Sequence, residues 1–179
     1  MPGERTLYRK IQVVLDYTKD GRHNDKDTLM KYIIGRQPTN FIYYYRDKTT
    51  KDIVHDYSER SIEHTIEICR ELKLISGDEL VLTRVGVSAS DPSRFSAIIG
   101  KRASELLESK GIPVSTISRA IKSILLSNSP APPTAEAIWN QLDRPEKVTT
   151  FQTFAQLLNL LGESRHLLMT QKRIYLPMP

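Results

Sequence analysis

The chain has 179 residues, 39% of them hydrophobic and 26% charged, with a formal charge of +5 and a pI near 9.3. That length holds one ordinary domain or two small ones, and the composition fits a folded protein and excludes an intrinsically disordered one. The single cysteine, Cys69, excludes an internal disulfide and a Cys-rich zinc site.

No apolar run approaches the length of a membrane span, and MPGERTLYRK lacks the apolar core of a signal peptide, so the expectation is a cytoplasmic protein (or a nucleoid or nuclear one), with no membrane contact and no secretion. The charge is uneven. Residues 1–90 hold 15 Lys+Arg against 14 Asp+Glu, whereas residues 91–179 hold 11 against 7, so the excess of positive charge lies in the second half. It permits an anionic partner there.

Taken in chain order, the apolar spacing predicts a first helix over 4–19, with Leu7, Ile11, Val14 and Leu15 inward. A second is predicted over 27–35, with Leu29, Met30, Ile33 and Ile34 inward. Phe41 to Arg46 is the strongest β pattern, and the turn at 47–50 returns it into 51–56 as a hairpin. Its three tyrosines, Tyr43, Tyr44 and Tyr45, read as a strand with hydroxyls at the rim, as candidates for protein contact, or as base-stacking rings beside Arg46, Lys48 and Lys51.

A third helix is predicted from Ser58 to Leu72, then a hairpin of Lys73–Ser76, a turn at Gly77–Glu79, and Leu80–Arg84. Residues 87–92 form the best linker. The next helix buries Phe95, Ile98, Ile99, Ala103, Leu106 and Leu107. The break at Lys110–Pro113 leads into a helix from Ser115, with Ile117, Ala120, Ile121, Ile124 and Leu125 inward. Beyond the Pro-rich loop at 127–133, Thr134 caps a short helix to Leu142. Thr149 or Thr150 starts another, with Phe151, Phe154, Ala155, Leu158 and Leu161 inward. A last hairpin is predicted over 166–176.

These residues carry two resemblances. The stretch ASELLESKGIPVSTISRAIKSILL, Ala103–Leu126, resembles a helix-turn-helix with a longer turn than the tight motif, and Ser115–Arg119 stand where its second helix begins. The order helix, helix, helix, hairpin is the plan of the winged-helix family, and LKLISGDELVLTRVG is similar to that family's wing. The same order recurs with NLLGESRHLLMTQKRIYLP in the wing position. The resemblance implies an α+β fold, mostly α with small β-hairpins, in tandem winged-helix architecture. The domains it implies are 1–87 with a Tyr-rich hairpin insertion, a linker helix over 88–112, and 113–179.

Catalytic chemistry is not expected. Gly100-Lys101 lacks the rest of a phosphate loop, because Phe95 and Arg102 stand where glycine and Ser or Thr belong. His23, His55, His64 and His166 are scattered without metal-ligand spacing. Asp52 and Asp56 lack the clustered partners that metal-dependent hydrolysis needs. The reading is no enzyme, no cofactor and no metal.

Within the winged-helix plan the third helix of each repeat enters the major groove. The first repeat's third helix sets Glu59, Glu63, Glu67 and Glu71 against Arg60 and Arg70, which repels phosphate and suits a protein contact. The second repeat's third helix offers Thr150, Gln152, Thr153, Gln156 and Asn159; Gln and Asn can pair bidentately with adenine. Lys147, Arg165, Lys172 and Arg173 flank it for backbone contact.

If Ala103–Leu126 instead acts as its own helix-turn-helix, Ser115, Thr116, Ser118, Arg119 and Lys122 carry the reading. The resulting expectation is a double-stranded DNA-binding protein, a transcriptional regulator or a replication or mobile-element accessory factor. It would act as a homodimer or with other subunits. The alternative is a winged-helix protein-interaction subunit of a larger nucleic-acid-processing complex.

Overall fold

A computed structural model describes residues 6–19, 25–36, 41–46, 49–50, 53–57, 59–77, 80–127, 133–142, 149–164, 168–170 and 173–175, the strands by their backbone pairing. The chain divides into two compact units, Met1–Asp91 and Pro92–Pro179.

In the first unit, α1 (Leu7–Thr18) begins at Thr6, whose hydroxyl oxygen accepts the Arg9 N–H. It buries Ile11, Val14 and Leu15, and the Thr18 hydroxyl donates back to the Val14 carbonyl at 2.7 Å. Helix α2 (Lys26–Arg36) starts behind Asp25, whose carboxylate accepts the Thr28 N–H at 2.8 Å and the Thr28 hydroxyl at 2.6 Å. It buries Leu29 and Ile33.

Strands β1 (Ile42–Arg46) and β2 (Ile53–Tyr57) pair antiparallel, with Tyr44 opposite His55. Helix α3 (Glu59–Glu71) packs on α1 and α2 through Ile62, Ile66 and Cys69, so three amphipathic stripes meet in one core.

The way α3 ends sets the path of the chain beyond it. Lys73 takes the left-handed conformation at φ 57°, its N–H donating to the Arg70 carbonyl at 2.8 Å and the Leu74 N–H to the Cys69 carbonyl at 2.9 Å. This is a Schellman stop with lysine where glycine is usual. Thr83 then caps α4 (Arg84–Ala89), accepting the Gly86 N–H at 3.0 Å, while its own hydroxyl donates to the Lys73 carbonyl at 2.7 Å.

In the second unit, α5 (Pro92–Ser109) ends in a second Schellman stop. Gly111 sits at φ +74°, its N–H donates to the Glu108 carbonyl, and the Ile112 N–H donates to that of Leu107. Ile112 and Leu107 are both buried, as the motif's apolar contact requires.

Pro113 precedes α6 (Val114–Leu126), Thr134 caps α7 (Ala135–Trp139), and Thr150 caps α8 (Phe151–Glu163). Helix α5 packs on α6 and α8, and α7 packs on both α6 and α8. Phe95, Ile99, Ile121, Ile138, Phe154 and Leu158 are among the fully buried side chains. Strands β3 (Leu168–Thr170) and β4 (Arg173–Tyr175) pair antiparallel.

The expected α+β, tandem winged-helix fold is therefore corrected to a helical one. Eight helices supply most of the described core, and the strands are three to five residues long and pair only two by two. Among the described residues, the segment expected to be the first wing pairs through one bridge, Ile75 to Leu82, flanked by the Ser76 N–H donating to the Val81 carbonyl at 2.8 Å and the Thr83 N–H to the Leu74 carbonyl at 3.0 Å, and the pairing stops at Thr83. The physical reason lies at Thr83. Its hydroxyl caps a helix, and Gly86 lets that helix press onto the Leu74 carbonyl, so α4 forms where the second wing strand and the linker were expected to meet.

Candidate nucleic-acid interface

The two units differ sharply in charge. Residues 1–91 hold 15 Lys+Arg and 15 Asp+Glu, and residues 92–179 hold 11 and 6, so the whole net charge of +5 belongs to the second unit.

Within that unit α6 has no carboxylate along its length. Its apolar residues Ile117, Ala120 and Ile121 face the core, which turns Ser115, Arg119, Lys122 and Leu126 outward along one line at i, i+4, i+7 and i+11. All four are exposed, whereas Thr116 and Ser118 are half-buried at its flanks. Among the described residues neither Arg119 nor Lys122 has an ion-pair partner. The contrast with α5 is direct. Glu105 holds Arg102 at 2.6 Å and Lys101 at 3.9 Å, so the two cations in that part of α5 share one carboxylate.

The polar residues of α8 are less uniform than the sequence indicated. Thr150 and Thr153 serve the helix itself: the Thr150 oxygen accepts the Thr153 N–H at 3.2 Å, and the two hydroxyls lie 3.0 Å apart. Gln156 is half-buried and engaged within the chain. Gln152 and Asn159 are exposed on one line, and Glu163 ends it with a carboxylate.

Lys147, Arg165 and Lys172 lie outside the described residues. Arg173 is placed by its backbone in β4, opposite Thr170. Tyr43, Tyr44 and Tyr45 are placed on β1, opposite Asp56, His55 and Val54.

Two apolar residues expected inside are outside. Phe151 is 42% exposed at the first turn of α8, and Leu125 is exposed near the end of α6 beside Leu126 at 83%. The α8 stripe is Phe154, Leu157, Leu158, Leu160 and Leu161. Leu157 and Leu160 rotate its centre away from Phe151 and Ala155. That leucine pair is the signal in the sequence that could have corrected the stripe.

On α3 the glutamates are partly matched. Lys26 reaches Glu63 at 2.5 Å and Arg70 reaches Glu67 at 2.8 Å. The hydrogen bond from Lys26, reinforced by its charge, holds the Glu63 carboxyl below its ordinary range. Among the described residues no group of His, Cys, Asp and Glu could hold a metal ion, and no helix is long and apolar enough to cross a membrane. Comparison with protein-family models, curated proteins and solved structures found no match.

Proposed function

We propose that the second unit binds double-stranded DNA by gripping its phosphates with α6. The observation that carries this reading is the carboxylate-free outward line of Ser115, Arg119 and Lys122 in the unit that holds the entire net charge. A cation line without local carboxylates has its long-range attraction intact, and a short hydroxyl at its start adds a phosphate hydrogen bond.

From Ser115 to Lys122 the helix advances about 10 Å, close to the axial length of three base pairs. No ring lies on that line, so it suits a regular backbone better than unstacked bases. Gln152 and Asn159 on α8 are the available base-edge donors and acceptors. A regulator of transcription, or an accessory factor in replication or DNA mobility, would use such a surface.

The test is a mobility shift on random duplex at two salt concentrations. Binding that weakens steeply with salt, and a shallower salt slope in Arg119→Ala and Lys122→Ala, support the reading. Absence of binding at low salt refutes it.

A protein partner is the second reading, for the first unit alone. That unit has no net charge and exposes Val81 and, at 58%, Val87. If the partner is a second copy, sedimentation will show a concentration-dependent dimer that Val81→Asp and Val87→Asp disrupt; a monomer at every concentration refutes the homodimer.

A further inference from the structure

We infer that Leu126 is a wedge that opens one base step of the duplex, so that the second unit bends DNA and selects sites with a flexible step. This mode rests on the duplex reading of α6 and adds to it how a site is chosen.

Leu126 is 83% exposed at the last position of α6, so nearly its whole side chain is free. A lone exposed leucine is ordinary on a protein surface. This one ends the outward line of Ser115, Arg119 and Lys122, on one continuous helix that sets its direction relative to both cations. A duplex held by Arg119 and Lys122 is therefore also what Leu126 faces.

The two parts of that line differ in what they can meet. Arg119 and Lys122 attract phosphate. The last turn of α6 carries no basic residue, and its carbonyls form the negative end of the helix dipole. That end repels phosphate and offers leucine, with Leu125 beside it at 43% exposed. On a duplex, an apolar side chain set off from the phosphates meets the groove and its base steps. Leu126 lies about 6 Å beyond Lys122 along the axis, comparable with the minor groove's width of about 6 Å. With Lys122 on a phosphate at the lip of the groove, Leu126 stands over its floor.

A leucine driven between two stacked pairs leaves the pairs formed and opens one step, kinking the duplex. Burial of the side chain offsets much of the lost stacking. Pyrimidine–purine steps such as TA open most readily, so the wedge discriminates among sequences without a hydrogen bond to any base. A second copy of the chain suits the line less well, because an α6-to-α6 contact would bring cations together with no carboxylate on either helix.

The experiment uses the intact chain and two duplexes of equal length, each end-labelled with a donor and an acceptor dye. One has a central TA step and the other a stiff central A-tract. On binding, energy transfer should rise on the TA duplex, and that duplex should be preferred about tenfold. Leu126→Ala should abolish the rise and the preference while keeping the salt slope of binding, and Leu126→Met should keep all three. Emission of Trp139, the chain's single tryptophan, reports that each variant is folded.

Unchanged energy transfer on binding, or a bend that survives in Leu126→Ala, overturns the wedge and leaves duplex binding standing. So does a dimer, seen by sedimentation without DNA, that Leu126→Ala dissolves. Failure to bind either duplex overturns the duplex reading and the wedge together.

Discussion

Gly86→Ala tests the contact that packs α4 against Leu74, where the second wing strand was expected to run into the linker. A Cβ built on Gly86 would lie 1.9 Å from the Leu74 carbonyl oxygen and 2.9 Å from its carbon. That carbonyl cannot swing away freely, because it accepts the Thr83 N–H at 3.0 Å and the Thr83 hydroxyl at 3.2 Å, and the Leu74 side chain is fully buried.

Alanine would gain about 1 kcal/mol of helix propensity. Against this, separating α4 from Leu74 loses one or two hydrogen bonds at about 1 kcal/mol each and adds overpacking strain of about 1–3 kcal/mol. The balance is a loss of about 1–4 kcal/mol, which in a unit of this size lowers Tm by roughly 5–25 °C.

Gly35 is the control, since a Cβ there meets nothing within 4 Å; Gly35→Ala should be neutral or stabilising by up to about 1 kcal/mol. Calorimetry or urea unfolding followed by circular dichroism reads both. A Gly86→Ala protein as stable as the unsubstituted one would refute the close packing of α4 on Leu74.

Other variants probe separate contacts. Lys73→Gly should stabilise the first unit by about 1 kcal/mol, because it removes the left-handed penalty at the end of α3; a lower Tm would contradict that stop. Thr150→Ala should cost the second unit about 1 kcal/mol by uncapping α8, measured by urea unfolding with Trp139 emission, and an unchanged midpoint would exclude the cap. Asp25 and Glu63 are both held below the usual carboxylate range, by hydrogen bonds from Thr28 and Lys26 respectively. The folded chain therefore binds fewer protons than the unfolded one, so this stabilisation is present above the ordinary carboxylate pKa and is lost as pH falls through the lowered values. Asp25→Asn with Glu63→Gln should flatten the acid side of the stability profile, and an unaltered profile would refute the assignment. Cys69 is fully buried, and burial pushes its thiol pKa up, so a thiol reagent should label it only at the rate at which the first unit opens. Rapid labelling of the folded chain would contradict its place in the core.

The helices were legible because each carries an apolar stripe that survives small errors at its ends. Ile11, Val14 and Leu15 of α1, Ile62, Ile66 and Cys69 of α3, and Ile117, Ala120 and Ile121 of α6 are buried as their spacing required. The cap at Thr134, and one at Thr149 or Thr150 that the structure assigns to Thr150, were legible for a local reason, since a short hydroxyl before an apolar run satisfies an otherwise free helix N–H.

Residues 73–89 were not legible in this way. Leu80–Thr83 does pair back on Leu74–Ser76, and what ends the pairing is the Thr83 hydroxyl on the Lys73 carbonyl and the close approach of Gly86 to Leu74, which no local pattern encodes. On the candidate site, the outward line of Ser115, Arg119 and Lys122 came from the stripe opposite it. Phe151 was misplaced because it stands three residues before Phe154, on the edge of a stripe whose centre Leu157 and Leu160 move away from it. The polar residues of α8 looked alike in the sequence, and only hydrogen bonding separates the capping Thr150 and Thr153 from the exposed Gln152 and Asn159.

The central claim is that α6 of the second unit grips duplex phosphates, and the salt dependence of binding measures it most directly. Affinity for one duplex, determined over a range of salt concentrations, yields a slope that counts the phosphates neutralised, at about 0.9 per contact. The double variant Arg119→Ala, Lys122→Ala should bind more weakly at low salt, with a slope shallower by about 1.8, while Trp139 emission shows the unit still folded. A folded double variant with the slope of the unsubstituted protein would contradict the claim.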